Sequence, residues 1–514
     1  MPEGRATERL ASFIEEFSFE RIPAAVLDRT KEIVYDGLGA LLAATSPRYD
    51  IGAVLTRLVR ETGATPEAQV FGTGLRTNCV TAALVNGTLG YYCDVESHHP
   101  GAIMHAIAIV GPAALAVGER RHSSGRDVAA AIVLGIDVAC RVSSALDPAA
   151  LYARGFHPSC VAGTFGALAA AARLFGLRGS ALRHAFGLAG TEASGLLSWV
   201  SDPTEHARPF NMGLAARHGV FAAQLAACGF GGPPAIFEGK YPLAQAFTGR
   251  WNETAIFDGL GEQFKVMELY VKQYACCAFI HPGLDGLLAI QAAEGVRPGE
   301  IRRITLRFPA SGYKIIDDNP LRSHCAQYVL ALAAHKGAVD FYDILHDQRS
   351  DPSIRSLSER VQVIGDADLD RTYPSLYRSV VEVDTARGKH VRDIVHPRGS
   401  PESPLARDEL RMPMSPMASS SSTARAISSL RRALSTSEVR RENFALRSSR
   451  ASGDSGDPRG WTISRTCFPP AVSTSTMERY RVGYVRSRSA SPITCTRSDS
   501  ERMLGSDRWS CRMS

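Results

Sequence analysis

Most of the short signatures that mark an enzyme class are missing from this chain. No HExxH occurs, His98, His99 and His105 fall at no known ligand spacing, and the cysteines are scattered. A catalytic metal is therefore not expected. A GxSxG elbow is absent, which removes the usual serine nucleophile. No GxGxxG follows a strand and no GxxxxGK[ST] is present, so nucleotide binding has little support. Eleven cysteines in 514 residues are too dilute for a disulfide scaffold. Cys276 and Cys277 are adjacent, not CxxC, and form neither a zinc knuckle nor an ordinary redox pair. No uninterrupted apolar run is long enough to cross a bilayer, and MPEGRATERLASFIEEF has no apolar signal core. The cytoplasm is the expected location, with no membrane partner.

Excess charge is also missing from most of the chain. The formal net charge is +6, but residues 412–514 hold 17 Arg, no Lys and 8 acidic residues. The rest of the chain is close to neutral and slightly acidic. No electrostatic case exists for nucleic-acid binding by that body.

What is present is helical period and small residues. Thr7–Phe17, Ala24–Ala44, Thr77–Tyr92, His105–Gly118, Val128–Leu146, Cys160–Phe175, Arg183–Leu197 and Met212–Cys228 carry apolar stripes or apolar runs of helical length. Pro23 suits the first turn of the second helix. Their density of Ala and Gly lets helix axes approach closely, which predicts a compact bundle over residues 1–264. The texture changes near Phe264. Residues 263–272 read as extended, and 279–293 and 322–335 as helical. RITLRF (303–308), 361–364 and SVVEVD (379–384) read as strands. This is an α+β module over 265–400.

One stretch stands out, Tyr91 to Pro112, reading YYCDVESHHPGAIMHAIAIVGP. It crowds Asp94, Glu96, His98, His99 and His105 at a junction expected to be buried. Burial and close charges move pKa values toward a working range. Asp94 can act as a base, orient a histidine, or only cap the next segment. His98 and His99 are adjacent and point to different sides. His105 opens an apolar helix, where free N–H groups favour an anion and leave a neutral ring able to act as a base. His157, in RGFHPS, opens a second Ala-rich helix in the same way. Two such starts facing one cleft would make an anion site with two proton carriers. Arg208 precedes a third helix, Lys272 lies at the join between the modules, and Tyr328 sits mid-helix.

Taken together these segments resemble the MmgE/PrpD family, over roughly residues 5–411. The carrying segments are NGTLGYYCD (86–94), His105 with PAALA (112–116), GRDV (125–128) and GFHPS (155–159). GTEASG (190–195), KQYACC (272–277) and PRGSPESP (397–404) complete the series. The family includes 2-methylcitrate dehydratase, cis-aconitate decarboxylase and iminodisuccinate epimerase. The resemblance implies a mainly helical chain, with a large helical domain (1–264), a smaller α+β lid (265–400) and a return segment (401–411). It implies a homodimer and cofactor-free chemistry on small di- and tricarboxylates in a cleft between the domains.

Carried over residue by residue, the resemblance implies that His105 and His157 transfer protons, with Asp94 orienting or charging a histidine. Lys272 and Arg208 hold carboxylates, Tyr328 donates a hydrogen bond from the lid, and no metal is used. Glu96 and His99 fall to structural roles. Two positions depart from the family. His98 stands where dehydrating and decarboxylating members commonly have Thr, and Arg208 where many have Lys. Arg grips a carboxylate bidentately where Lys offers a point charge. Both changes point to a substrate other than 2-methylcitrate or cis-aconitate themselves. Dehydration is the expected reaction, because it is the commonest in the family. Decarboxylation or epimerisation is the alternative, and a non-catalytic carboxylate-binding relic is the rival from another class.

From Met412 onward Ser and Arg make up 41 of 103 residues, and no helix or strand period persists. Such a run is expected to be disordered. Its lack of Lys, His and apolar period suggests an off-frame translation of a GC-rich gene, which the nucleotide sequence tests directly.

Overall fold

The computed structural model describes residues 5–406. The end of the return segment and the whole Ser/Arg-rich run lie outside the described residues. The first helices are α1 (Ala6–Glu16), α2 (Ala24–Ala44) and α3 (Ile51–Thr62), followed by a short hairpin, β1 (Ala68–Val70) and β2 (Leu75–Thr77). The helical body continues with α4 (Cys79–Tyr92), α5 (Ala106–Arg121), α6 (Gly125–Ala145), α7 (Pro148–Ala153) and α8 (Pro158–Phe175). It ends with α9 (Gly179–Glu192), α10 (Ala207–Ala227), α11 (Leu243–Phe247) and α12 (Glu253–Phe257). The α+β part holds α13 (His281–Glu294), β3 (Ile301–Pro309), α14 (Ala326–Lys336), α15 (Phe341–Leu345) and α16 (Pro352–Ser358). Its last strands are β4 (Val361–Asp366), β5 (Ser379–Thr385) and β6 (Gly388–Ile394). The chain is mainly helical with a smaller α+β portion, as the sequence predicts.

Local chemistry sets the helix ends. The Asn78 side chain accepts the Thr81 N–H at 2.8 Å and starts α4, and Ser124 accepts that of Asp127 to start α6. Pro158 occupies the first turn of α8, which closes on Gly176 at φ 74°. Small residues set the helix spacing. A Cβ on Gly166 of α8 would lie 2.6 Å from the Gly135 carbonyl oxygen of α6, and one on Gly213 of α10 would lie 2.3 Å from that of Leu84 in α4. By length and composition α6 and α8 are each apolar enough to cross a bilayer, contrary to expectation, although Asp137 and Arg141 interrupt the first and Arg173 the second. Within the fold their most apolar windows are 83% and 89% buried. The charges that interrupt α6 are buried together, with Arg141 Nε donating to Asp137 at 2.7 Å. The Arg141 guanidinium also donates to the carbonyls of Ile256, Asp258, Gly259 and Gln263, so it anchors the chain that leaves α12.

The four-stranded sheet has the order β4-β3-β5-β6. β3 and β4 run parallel with Leu306 opposite Val363, and the other two pairings are antiparallel. β5 alternates buried and half-buried residues, as a strand covered on one face must. α13 packs on β5 and β6, and α14 on β4. The chain builds two hydrophobic cores, one within the helical body and one around the sheet. Leu41, Tyr49, Val85, Leu89 and Tyr92 of the first 264 residues belong to the second core. Residues 263–272 are not extended as expected. Lys265–Glu268 forms a 3-10 turn, and Tyr270 makes only a two-bond bridge with His98, 2.9 Å each way. The helix expected over 183–197 stops at Glu192, where Ala193 leaves the helical region at ψ 126°, and Gly195 beyond it adopts φ 117° with its Cβ position crowded by Cys160.

Candidate active site

Three helix N-termini meet at one place. His105 is the N-cap of α5, His157 the N-cap of α8, and Arg208 lies in the first turn of α10. The His105 N–H donates to Ser159 Oγ at 3.1 Å, and that hydroxyl donates to the Ile103 carbonyl, which ties the start of α5 to that of α8. The His157 N–H donates to the Gly195 carbonyl at 2.9 Å. The two imidazoles, expected to face one cleft, have ring centres 6.4 Å apart. Tyr91 lies 4.4 Å from the ring of His105 and 6.4 Å from that of His157. All three are buried.

His105 is held by a carboxylate, but not by the expected one. Its Nδ1 lies 2.6 Å from Glu96 Oε1, and its Nε2 lies 3.2 Å from the Tyr91 hydroxyl. Glu96, read from the sequence as structural, is the residue that orients the histidine. Asp94 is drawn away to two cations. Burial raises the Glu96 carboxyl well above its ordinary range despite nearby Lys272. Burial also lowers His105 well below its own, aided by His98 and Lys272. The pair therefore keeps its proton without a net charge, and the chain Glu96–His105–Tyr91 is continuous.

Asp94 sits at φ 55°, in the left-handed region, just after α4. Its carboxylate accepts from Lys272 Nζ, which also donates to the Asp94 carbonyl at 3.2 Å and lies 3.8 Å from Glu96. Arg208 Nη1 lies 3.7 Å from the other Asp94 oxygen. Arg208 Nε donates to Glu205 at 3.1 Å, and its Nη atoms donate to the Tyr91 and Tyr92 carbonyls that end α4. Glu205 is also a left-handed residue, φ 59°. Two strained carboxylates thus converge on one guanidinium, and strain of this kind collects at functional sites. Burial opposes charge on Asp94, but Lys272, Arg208 and His324 outweigh it and hold its pKa at about 2. Burial opposes charge on Lys272 as well, yet Asp94 and Glu96 keep its amine above the ordinary range. Both cations expected to hold substrate are already neutralised by protein carboxylates.

His98 packs against His105 with ring centres 4.5 Å apart. Its Nε2 lies 2.8 Å from the Tyr377 hydroxyl, which donates to the Pro100 carbonyl. The hydroxyl therefore accepts from His98 Nε2–H, which leaves Nδ1 a bare lone pair, buried and without a partner among the described residues. His99 accepts the Ala102 N–H at Nδ1 and meets Glu268 at Nε2, 3.1 Å, so it braces the loop. A recess of about 200 Å³ borders His99, Tyr270 and Tyr377. Tyr328 is not brought to this cluster. Its hydroxyl donates to the Asp343 carbonyl at 2.6 Å and accepts the Gln348 N–H, and its ring faces Arg349. Tyr328 lies in the first turn of α14, with its hydroxyl turned to the chain at Asp343 and Gln348. The residue ahead of that helix, His324, is the one whose charge environment is set by Asp94, Arg208, Lys272 and His157. Sequence reasoning missed Tyr91, Glu96, Glu205, His324 and Tyr377 as site residues. The Asp-Val-Glu spacing was the available signal; His324 fell inside the helix expected over 322–335, which in the fold begins only at Ala326.

Asp94, Glu96 and His105 offer ligand atoms within 4.8 Å of one another, as a metal site would. The donors do not suit an ion. Lys272 already sets a fixed ammonium against both carboxylates, and His105 Nδ1 is committed to Glu96.

Residues 8–254 match the family model described as the MmgE/PrpD N-terminal domain, and residues 274–435 match that of the MmgE/PrpD C-terminal domain. The second match runs past Arg411, where the sequence reading ended the resemblance, into the Ser/Arg-rich run. The cis-aconitate decarboxylase-like protein oryM of Aspergillus oryzae is 27% identical over 455 residues, covering 82% of this chain and 92% of its own length. Cis-aconitate decarboxylase of Aspergillus terreus is 24% identical over 435 residues, with 79% and 87% covered. The Homo sapiens protein of that name is 25% identical over 379 residues, with 70% and 76% covered.

Proposed function

The chain belongs to the MmgE/PrpD family, and from that premise we propose that it is a carboxy-lyase acting on an unsaturated polycarboxylate of the cis-aconitate class. One observation carries the reading: His105, held by Glu96, faces His157 across Tyr91 where three helix N-termini converge. The relatives named above support loss of CO2 over the dehydration expected from the sequence. Dehydration drops to second place for that reason.

Loss of CO2 breaks a carbon–carbon bond and leaves its electron pair on the conjugated carbon skeleton. A proton delivered to carbon completes the reaction. Such a step needs an acid of suitable pKa and fixed positive charge for the remaining carboxylates. His105 and His157 supply proton transfer, and Glu96 holds His105 in register. Lys272 and Arg208 form the positive wall, with Asp94 keeping them together, and His98 borders the substrate. Converging helix N-termini add partial positive charge. An incoming polyanion shares the two cations with Asp94 and Glu205.

The test incubates the full chain with cis-aconitate and a panel of saturated, hydroxylated and unsaturated di- and tricarboxylates, and analyses products and released CO2. Stoichiometric CO2 with protonation of the remaining skeleton is expected. Turnover without CO2 refutes the carboxy-lyase reading in favour of hydro-lyase or isomerase chemistry. A thermal shift with a panel acid but no product would mark a binding relic.

A further inference from the structure

Ser323 and His324 lie in the 3-10 turn Arg322–His324, immediately before α14, and both are buried. Ser323 Oγ lies 3.0 Å from Glu205 Oε1 and 2.9 Å from His324 Nδ1. The other Glu205 oxygen accepts from Arg208 Nε. Burial raises the Glu205 carboxyl, opposed by the charge of Arg208, whose Nε donates to it. Paired in this way as a carboxylate it only accepts, so the single Ser323 hydrogen goes to Glu205, and Ser323 Oγ accepts Nδ1–H from His324. That leaves the Nε2 lone pair of His324 facing outward from the relay. No hydrogen bond from a described residue occupies it.

The ring of His324 lies 5.1 Å from that of Trp199, and Trp199 lies 5.6 Å from His157. The two histidines therefore share one indole wall. Trp199 Nε1 and His157 Nδ1 are both buried and have no partner among the described residues. Buried polar atoms left open in this way cost stability unless a ligand or water completes them. Around His324 the charged and titratable groups include Glu205, reached through Ser323, and Asp94, Arg208, Lys272 and His157.

We propose that His324 is a further proton-transfer residue of this site, with Glu205 and Ser323 as the positioning residues that turn its Nε2 toward substrate. The proposal rests on the carboxy-lyase reading for its reaction and on geometry for its orientation. In the free protein the ring is neutral, because burial, only partly countered by Asp94, pushes it down to about 3. A bound polyanion adds negative charge beside the ring, and the ring takes up a proton from the solvent as the substrate binds. After the carbon–carbon bond breaks and CO2 leaves, the electron pair on carbon takes the proton from Nε2. The imidazolium returns to neutral imidazole. A tricarboxylate trianion plus imidazolium thus becomes a dicarboxylate dianion, CO2 and imidazole, and charge balances. The same placement explains why Tyr328 is not the group offered to the site: it lies one helical turn further along, with its hydroxyl already used.

The experiment compares full-chain wild type, His324→Gln, Ser323→Ala and Glu205→Gln with cis-aconitate, or whichever panel acid the wild type converts. His324→Gln should lower kcat by at least ~100-fold with KM little changed. Ser323→Ala should give a smaller loss in kcat and displace one limb of the kcat–pH profile, which a merely structural role would not do. Wild-type kcat and pH profile in His324→Gln would overturn the proposal. Absence of turnover by the wild type on every acid would defeat the carboxy-lyase reading and not this geometry, which 15N-histidine NMR tests separately. His324, assigned by difference with His324→Gln, should carry its proton on Nδ1 in the wild type and lose that preference in Ser323→Ala. A proton found on Nε2 in the wild type would refute the relay.

Discussion

Replacing Asp94 with Asn removes one negative charge from between two buried cations. The carboxylate meets Lys272 Nζ at one oxygen and Arg208 at 3.7 Å from the other, and all three side chains are essentially inaccessible. Burial opposes its ionisation, but Lys272 and Arg208 carry its pKa from the ordinary 3.8 down to about 2. That gap is worth about 2 kcal/mol. A depressed carboxylate pKa contributes stability that is present above 3.8 and lost as pH falls through 2. Asn also leaves Lys272 and Arg208 short of a counter-charge, and breaking a buried pair in this way costs ~3–5 kcal/mol at neutral pH. Lys272→Met should cost a similar amount, because it leaves Asp94 with Arg208 alone. The double variant Asp94→Asn/Lys272→Met leaves neither partner stranded and should cost at least ~1 kcal/mol less than the sum of the single changes. Urea unfolding of the four proteins at pH 7, followed by far-UV circular dichroism, measures the cycle. Additive costs, or an Asp94→Asn variant as stable as wild type, would refute the buried triad as the hub of this site.

His105→Ala and His157→Ala should each abolish turnover while leaving the circular dichroism spectrum and thermal midpoint near wild type. Full activity in either removes that histidine from the reaction. Glu96→Gln keeps a hydrogen bond to His105 Nδ1 but cannot hold the shared proton, so kcat should fall by ~100-fold or more with folding retained, read from steady-state kinetics. Asp36 accepts the Ser97 N–H at 2.7 Å, and burial raises its pKa to about 7 from 3.8. A raised carboxylate pKa gives stability that is full below 3.8 and lost as pH rises through 7. Asp36→Asn should therefore be neutral at pH 4 and more stable than wild type by about 2 kcal/mol at pH 8, allowing for partial exposure. The pH series of unfolding midpoints decides it. Gly166→Ala forces a Cβ to 2.6 Å from the Gly135 carbonyl and should cost ~1–3 kcal/mol by overpacking, measured as a lowered unfolding midpoint.

Much of the helical body was legible because a period of 3.6 and a high content of Ala and Gly are properties of neighbours in sequence. The placement of His105 and His157 at helix starts was legible for the same reason, since Pro158 and the apolar runs behind each histidine mark a helix beginning. β6 escaped notice because its exposed polar residues carry little apolar signal. The 3-10 turn at Lys265–Glu268 escaped because the chain there is held by contacts with distant loops.

The sequence by itself determined which residue types crowd into Tyr91–Pro112 and which helices carry them. Only tertiary structure decided who meets whom. Asp94 and Glu96 are two positions apart and chemically alike, yet one pairs with Lys272 and Arg208 and the other with His105. That choice depends on the left-handed turn at Asp94 and on Lys272 arriving from 178 residues away. The choice of His324 over Tyr328 likewise depends on where α14 begins against the helical body, which no local period encodes.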